Sequence, residues 1–170
     1  MTILDWALIV LLILAFFGGF KRGLINTLGG IIGLIVGALL AGQYYDVLAD
    51  WLATFGWLTE ATLNVISFIV ILLFVASIIS VIFGIIGKVF KIIQIVPFLG
   101  LINRIGGAVL GLLEEAILLG LAINVAARFL EGTGAGDYIA GAPVAVILAM
   151  IGGWLVPLLP DAIKSIELPF

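Results

Sequence analysis

The chain has 170 residues, of which 65% are hydrophobic and 10% are charged, and its formal net charge is −3. Soluble domains are about 45–50% apolar and about 25% charged, so a water-exposed fold of this size could not hide its apolar surface. The alternating strands of about ten residues that build a membrane barrel are absent from the sequence. We therefore predict an all-α integral membrane protein that is surrounded mainly by lipid.

Cysteine and histidine are both missing from the chain. Their absence excludes a disulfide framework and thiol chemistry, and it removes the commonest general base and metal ligand. The sequence contains neither a nucleophile–base pair nor a cluster of metal ligands, so we expect no enzyme activity, no cofactor and no metal. It also lacks a basic run or an RNA-binding aromatic pattern, so we expect no nucleic-acid partner.

Four apolar stretches predict membrane-spanning helices, at residues 4–20, 24–42, 61–87 and 105–127. Each is close to the ~20 residues that a span needs. Only a short turn separates the first two, so we predict that consecutive spans pair as two hairpins. The first stretch is a retained span, not a signal peptide, because Lys21 and Arg22 follow it and no small-residue cleavage site does.

Residues 43–60 differ in character from the spans on either side. On a helix, Tyr44 and Trp51 share one apolar face, whereas the acidic residues lie elsewhere. This pattern predicts an amphipathic helix that lies in the outer membrane interface, with Trp57 as a further aromatic anchor.

Basic residues are concentrated in the loops on one side of the four-span chain. Residues 88–104, which contain Pro97, predict an interfacial elbow there, because proline disfavours a continuous helix. The positive-inside rule makes this side cytoplasmic, so the N-terminus and the amphipathic helix face outside. The basic residues act as topology determinants or as contacts to lipid headgroups; they are Lys21, Arg22, Lys88, Lys91 and Arg104.

The predicted spans divide the chain into a four-span domain, residues 1–130, and a C-terminal part, residues 131–170. The composition of residues 131–136 predicts a flexible connector. Residues 138–159 are apolar but interrupted by proline and glycine, so they form a re-entrant segment, an interfacial segment or a fifth span. We favour a segment that does not cross, and the side of the C-terminus stays open.

One eight-residue stretch occurs twice, as GLINTLGG at residues 23–30 and as GLINRIGG at residues 100–107. Both copies open a span in the same direction, which permits a parallel repeat with its axis along the membrane normal. Chance similarity is the alternative, since Gly, Leu and Ile are common in this chain. Asn26 and Asn103, one in each copy, are predicted to cap their helices.

Glycines in the second and fourth spans have the spacing that lets membrane helices approach closely. We interpret them as packing positions rather than as a pore lining. They are Gly29, Gly30, Gly33, Gly37, Gly107 and Gly111.

Glu114 and Glu115 are the charges that lie deep inside an apolar run. Counted from Asn103, Glu114 is about 16 Å into its span, which is near the midplane. A carboxylate there either belongs to a proton or cation pathway or makes a polar contact between helices. The two residues differ by about 100° around the helix, so both cannot face one partner. Asn124 is a further candidate for a polar contact.

Three short motifs carry a family likeness. They are Leu-Asp-Trp at residues 4–6, Gly-Phe-Lys-Arg-Gly at residues 19–23, and Asn-Arg-Ile-Gly-Gly at residues 103–107 with Gly111 and Leu112 beyond it. Over residues 5–127 the chain resembles the colicin V production protein (CvpA) family.

The resemblance implies a multi-pass inner-membrane protein of a prokaryote, acting as an accessory factor in toxin production or export and in envelope physiology. It supplies no catalytic residues. Glu114 and Glu115 depart from the family pattern, so the alternative is a small transporter or channel coupled to protons or cations through them. In either case we expect membrane lipids as partners, together with a homo-oligomer or a membrane partner protein.

Overall fold

The computed structural model describes residues 1–55, 59–93, 97–130 and 133–158. The regular structure in these ranges is helical. In chain order the elements are α1 (Ile3–Arg22), α2 (Leu24–Ala53), α3 (Glu60–Ile93), α4 (Pro97–Phe129), α5 (Gly134–Ala140), α6 (Pro143–Gly152) and a short 3₁₀ helix, η1 (Gly153–Leu158).

Four of these helices are long and apolar enough to cross a membrane, which confirms the four predicted spans. The qualifying segments are Ile3–Arg22, Leu24–Ala53, Thr62–Val89 and Gly100–Arg128. The segment after α4 is bent by 84° between α5 and α6, so it is either a broken fifth span or a re-entrant loop. Both are alternatives that the sequence left open. The last residues of the chain lie outside the described ranges.

The predicted separate helix at residues 43–60 is wrong, because residues 43–53 continue α2 without a break. A single glycine, Gly42, precedes them, and one glycine inside a helix costs only about 1 kcal/mol. Tyr44 and Trp51 are still exposed on this extension. Trp57, the other predicted anchor, lies outside the described residues.

The predicted elbow at residues 88–104 is also wrong over most of its length. Helix α3 continues to Ile93, and α4 starts at Pro97. Proline suits a first helical position, since its missing N–H would have no partner there. The predicted connector at residues 131–136 is helical from Gly134, where the Thr133 side chain caps α5. The side chain of Lys91 lies outside the description.

Helix packing does not follow the predicted hairpins. Helix α1 packs mainly on α4, and α2 packs mainly on α3 and also along α4; α6 covers another side of α4. The one-residue link between α1 and α2 is Gly23, whose φ of 84° suits glycine. The chain therefore reverses at Gly23, but the extensive contacts form where glycines let two helices approach closely.

Two apolar clusters hold the bundle together. One joins α2, α3, α4 and η1 around Phe68 and Leu121. The other joins α1, α4 and α6 around Leu8 and Leu148. Large apolar side chains such as Phe74 face outward, as expected for helices whose surroundings are lipid.

Candidate functional site

Glycines bring the end of α1 against α4. A Cβ atom on Gly107 would overlap the Gly19 carbonyl oxygen, and one on Gly111 would lie 2.8 Å from Gly19 Cα. These contacts leave no room for a side chain at either α4 glycine, so the two helix backbones approach closely. Gly107 also lies against Gly23, and Gly111 against Ala15, so α1 and α4 run antiparallel.

The two repeated asparagines make different contacts, and neither caps its own helix as predicted. Asn103 Oδ1 accepts a hydrogen bond of 3.1 Å from Leu24 N, so it caps α2 instead of α4. Asn26 Nδ2 donates to the Arg22 carbonyl oxygen at 3.0 Å. The prediction failed because α4 begins six residues before Asn103, at Pro97.

Arg22 and Glu114 form an ion pair across the α1–α4 interface. Arg22 Nη2 lies 3.1 Å from Glu114 Oε2, and the two side chains are 43% and 17% exposed. Helical side chains lean toward the N-terminus of their own helix. Since α1 and α4 are antiparallel, Arg22 leans into the bundle while Glu114 leans toward the end that carries Arg22. The two charged groups therefore meet.

Gly30 provides the space for the Glu114 carboxylate. A Cβ atom at Gly30 would overlap Glu114 Oε1. Gly30 is six residues after the start of α2 at Leu24, or about 9 Å along the helix. The carboxylate therefore lies nearer to the Arg22 end of the bundle than the predicted midplane position, because the side chain leans toward its partner.

An open cleft adjoins this ion pair. We call it the polar cleft; its volume is about 410 Å³, and its lining residues are Gly30, Leu34, Leu73, Ala76, Ser77, Ser80, Val81, Glu114 and Leu118. They belong to α2, α3 and α4. Glu114 Oε2 is buried against Arg22 Nη2, and the Glu114 side chain is 17% exposed. The cleft is therefore lined by a carboxylate that is paired with a guanidinium.

The remaining glycines of α2 face α3. A Cβ atom on Gly33 would lie 2.9 Å from the Ala76 carbonyl oxygen, and one on Gly37 would lie 2.7 Å from that of Leu72. The space beside Gly29 is occupied by the Phe83 side chain. The absence of side chains in this stripe lets α2 and α3 approach closely, and the register places Ser80 near the level of Gly30.

The other predicted charged residues lie outside the polar cleft. Glu115 is half-buried and makes no ion pair within the described ranges. The Arg104 guanidinium lies 5.9 Å from the centre of the Phe20 ring, which is a cation–π contact. Lys21 and Lys88 are exposed. The structure thus brings Glu114, but not Glu115, together with a basic residue.

Asn124 is a buried polar residue of α4. It is 1% exposed. Its Nδ2 donates to the Gly120 carbonyl oxygen at 2.9 Å and to the Ala149 carbonyl oxygen at 2.6 Å. Asn124 therefore joins α4 to α6.

Asp5 joins two helix starts. It completes a capping box with Thr2 at the start of α1, as its position at a helix start predicts. Its Oδ1 also accepts a hydrogen bond of 2.9 Å from Val144 N, in the first turn of α6. The sequence around α6 does not predict this second contact. Helix α6 has no side-chain cap from its own N-cap residue, and the acceptor comes from Asp5, 139 positions earlier.

The sequence analysis also missed Ser77 and Ser80 as lining residues of the polar cleft. Their i, i+3 spacing on one face of α3 was the available signal. The same spacing is equally compatible with a helix face that contacts lipid, because a serine hydroxyl can donate a hydrogen bond to the backbone of its own helix. Ser77 does so, donating to the Leu73 carbonyl oxygen at 2.6 Å.

The chain matches the family model described as colicin V production protein over residues 4–152. Comparison with curated proteins and with solved structures gave no match. The match runs from the start of α1 to the end of α6. It therefore includes the polar cleft and the Asp5–Val144 contact, and it extends the resemblance seen in the sequence through α6. The chain belongs to the colicin V production protein family.

Proposed function

We propose that this chain is an accessory protein of the prokaryotic inner membrane that acts in the production or export of colicin V-type toxins. The supporting observation is the family match over residues 4–152, which includes all four candidate spans. The polar cleft holds the Glu114 carboxylate among apolar residues inside a candidate span, so we assign it the functional role.

We further propose that the N-terminus faces outside. The ends that carry the basic residues lie together, since Asn103 contacts Leu24 and Gly87 lies against Asn26. The positive-inside rule then favours a cytoplasmic location for this end. Its basic residues are Lys21, Arg22, Lys88 and Arg104.

The proposed function is tested in a cell that makes a colicin V-type toxin but lacks this chain. Toxin is measured in the medium and in the cells after complementation with wild type, Glu114→Gln or Glu115→Gln. We expect wild type and Glu115→Gln to restore release, while Glu114→Gln leaves toxin inside. The same release with and without the chain would contradict the proposal.

A second candidate function is proton- or cation-coupled transport. It is favoured by the Glu114 carboxylate, which lines the polar cleft together with Ser77 and Ser80. A sealed pathway through so small a chain would require an oligomer. Liposomes that contain a pH-sensitive dye test this: flux that Glu114→Gln abolishes supports transport, and absence of flux excludes it.

A further inference from the structure

Polarity changes along the polar cleft. The register of α2 against α3 places Ser80 at the level of Gly30, while Leu73 lies close to the level of Gly37. Leu118, one turn beyond Glu114, is at the apolar end. One end of the cleft therefore has charges and hydroxyl groups, and the other end has only apolar side chains. This order, along the membrane normal, matches a lipid with its headgroup at the Arg22 end.

The polar end presents opposite charges side by side. The Arg22 side chain is 43% exposed although it is paired with Glu114, so an anion can approach it. The Glu114 side chain lines the polar cleft, so a cationic donor in the cleft lies next to its carboxylate. A headgroup that carries a phosphate and an ammonium group close together would complement both.

The polar cleft is accessible from the lipid. Leu73 and Val81, which form part of its α3 wall, are 46% and 62% exposed. A Cβ atom at Gly84, one turn beyond Ser80 on α3, would meet nothing within 4 Å. A lipid can therefore enter sideways from the bilayer, with its chains left among other lipids.

We propose that the polar cleft binds a phospholipid with a zwitterionic, primary-amine headgroup, of the phosphatidylethanolamine class. The phosphate contacts Arg22, the ammonium group donates to Glu114, and Ser80 lies beside them. A choline headgroup has no N–H to donate, and a glycerol headgroup has no positive charge for the carboxylate. This binding is independent of any role in toxin release.

Native mass spectrometry tests the proposal. The protein is reconstituted in nanodiscs with equal amounts of phosphatidylethanolamine, phosphatidylcholine and phosphatidylglycerol. After the protein is released from the nanodisc in the mass spectrometer, the lipids that stay bound to it are counted. We expect ethanolamine lipid to be retained about ten-fold over choline lipid, the effect of one charged hydrogen bond. Glu114→Gln should remove this preference, whereas Glu115→Gln, which does not line the polar cleft, should keep it.

A second variant guards against misfolding of Glu114→Gln. Ser80→Leu fills the polar cleft from α3 and leaves both charged side chains in the protein, and it should also abolish retention of ethanolamine lipid. Equal retention of the three lipids by the wild-type protein would overturn the proposal. So would unchanged selectivity in both variants, or a dimer that excludes lipid from the polar cleft.

Discussion

Arg22 and Glu114 lie 92 positions apart in the chain, yet their charged groups approach to 3.1 Å. Arg22 lies in the Gly-Phe-Lys-Arg-Gly motif at residues 19–23, and Glu114 lies inside the apolar fourth span. Their contact depends on the antiparallel packing of α1 and α4 and on the absence of a side chain at Gly30. The charge inside the fourth span therefore has a structural partner, and Glu114 of this pair lines the polar cleft.

Gly30→Ala should displace the Glu114 carboxylate, because the added methyl group would occupy the place of Oε1. We expect a loss of about 1–3 kcal/mol in the free energy of unfolding, as for other overpacked sites. Unfolding in mixed detergent micelles measures it. Gly84→Ala is the matched control, since its new methyl group meets nothing within 4 Å. Equal stability of the two variants would show that the carboxylate does not need the space at Gly30.

Asp5→Ala should loosen the start of α6, because Val144 N loses its acceptor. Asp5→Asn should have a smaller effect, since its remaining oxygen can still accept that hydrogen bond. Labelling of a cysteine introduced at Val144 measures the change, and the chain has no native cysteine. Faster labelling is expected in Asp5→Ala, but not in Asp46→Asn, whose carboxylate accepts a hydrogen bond from the neighbouring Val47 N. Unchanged labelling in Asp5→Ala would contradict the shared cap.

Asn124→Leu should separate α6 from α4. The variant loses the hydrogen bonds to Gly120 and Ala149, and it places a branched side chain where the amide was buried. Hydrogen bonds between membrane helices stabilise by about 1–2 kcal/mol at most, so we expect the free energy of unfolding to fall by about that amount. The strain of the branched side chain should lower it further. Thermal unfolding compares it with Ser77→Ala, which removes only a bond within α3. A melting temperature equal to that of Ser77→Ala would exclude a tie through Asn124.

Gly120→Ala should disturb the same interface through packing alone. A Cβ atom at Gly120 would overlap the Leu148 carbonyl oxygen, whereas one at Gly153 would meet nothing within 4 Å. We expect Gly120→Ala to lose about 1–3 kcal/mol of unfolding free energy and Gly153→Ala to lose much less. If α6 were free of α4, the two variants would unfold alike in the same micelle assay.

The number and positions of the spans could be predicted from the sequence because they depend on one property, the length of apolar stretches. The close-packing glycines were predictable for a similar reason, since spacing alone reports them. Which helices pack together was not, because Gly23 permits a tight turn whether or not α1 and α2 then stay in contact. The change in polarity at residue 43 predicted a separate helix. This prediction failed because a change in polarity does not by itself end a helix, and residues 43–53 continue α2.

Within the candidate site, the sequence marked Glu114 but not its partner. A basic residue at a predicted loop has an ordinary explanation as a topology determinant, and the lean of Arg22 into the bundle becomes evident only from the register of α1 against α4. Glu115, like Glu114, is an acidic residue inside an apolar run. It does not pair with Arg22, because it lies about 100° away around the helix.

The central claim is that Arg22 and Glu114 act as one unit in the polar cleft. A double-mutant cycle on toxin release tests it most directly, with Arg22→Gln, Glu114→Gln and the double variant compared at equal expression, and with Lys21→Gln and Glu115→Gln as controls. We predict that both single variants reduce toxin release and that the controls release toxin normally. The double variant should release no less toxin than the single variant that releases less. Wild-type release from either single variant, or losses that multiply in the double variant, would contradict the claim.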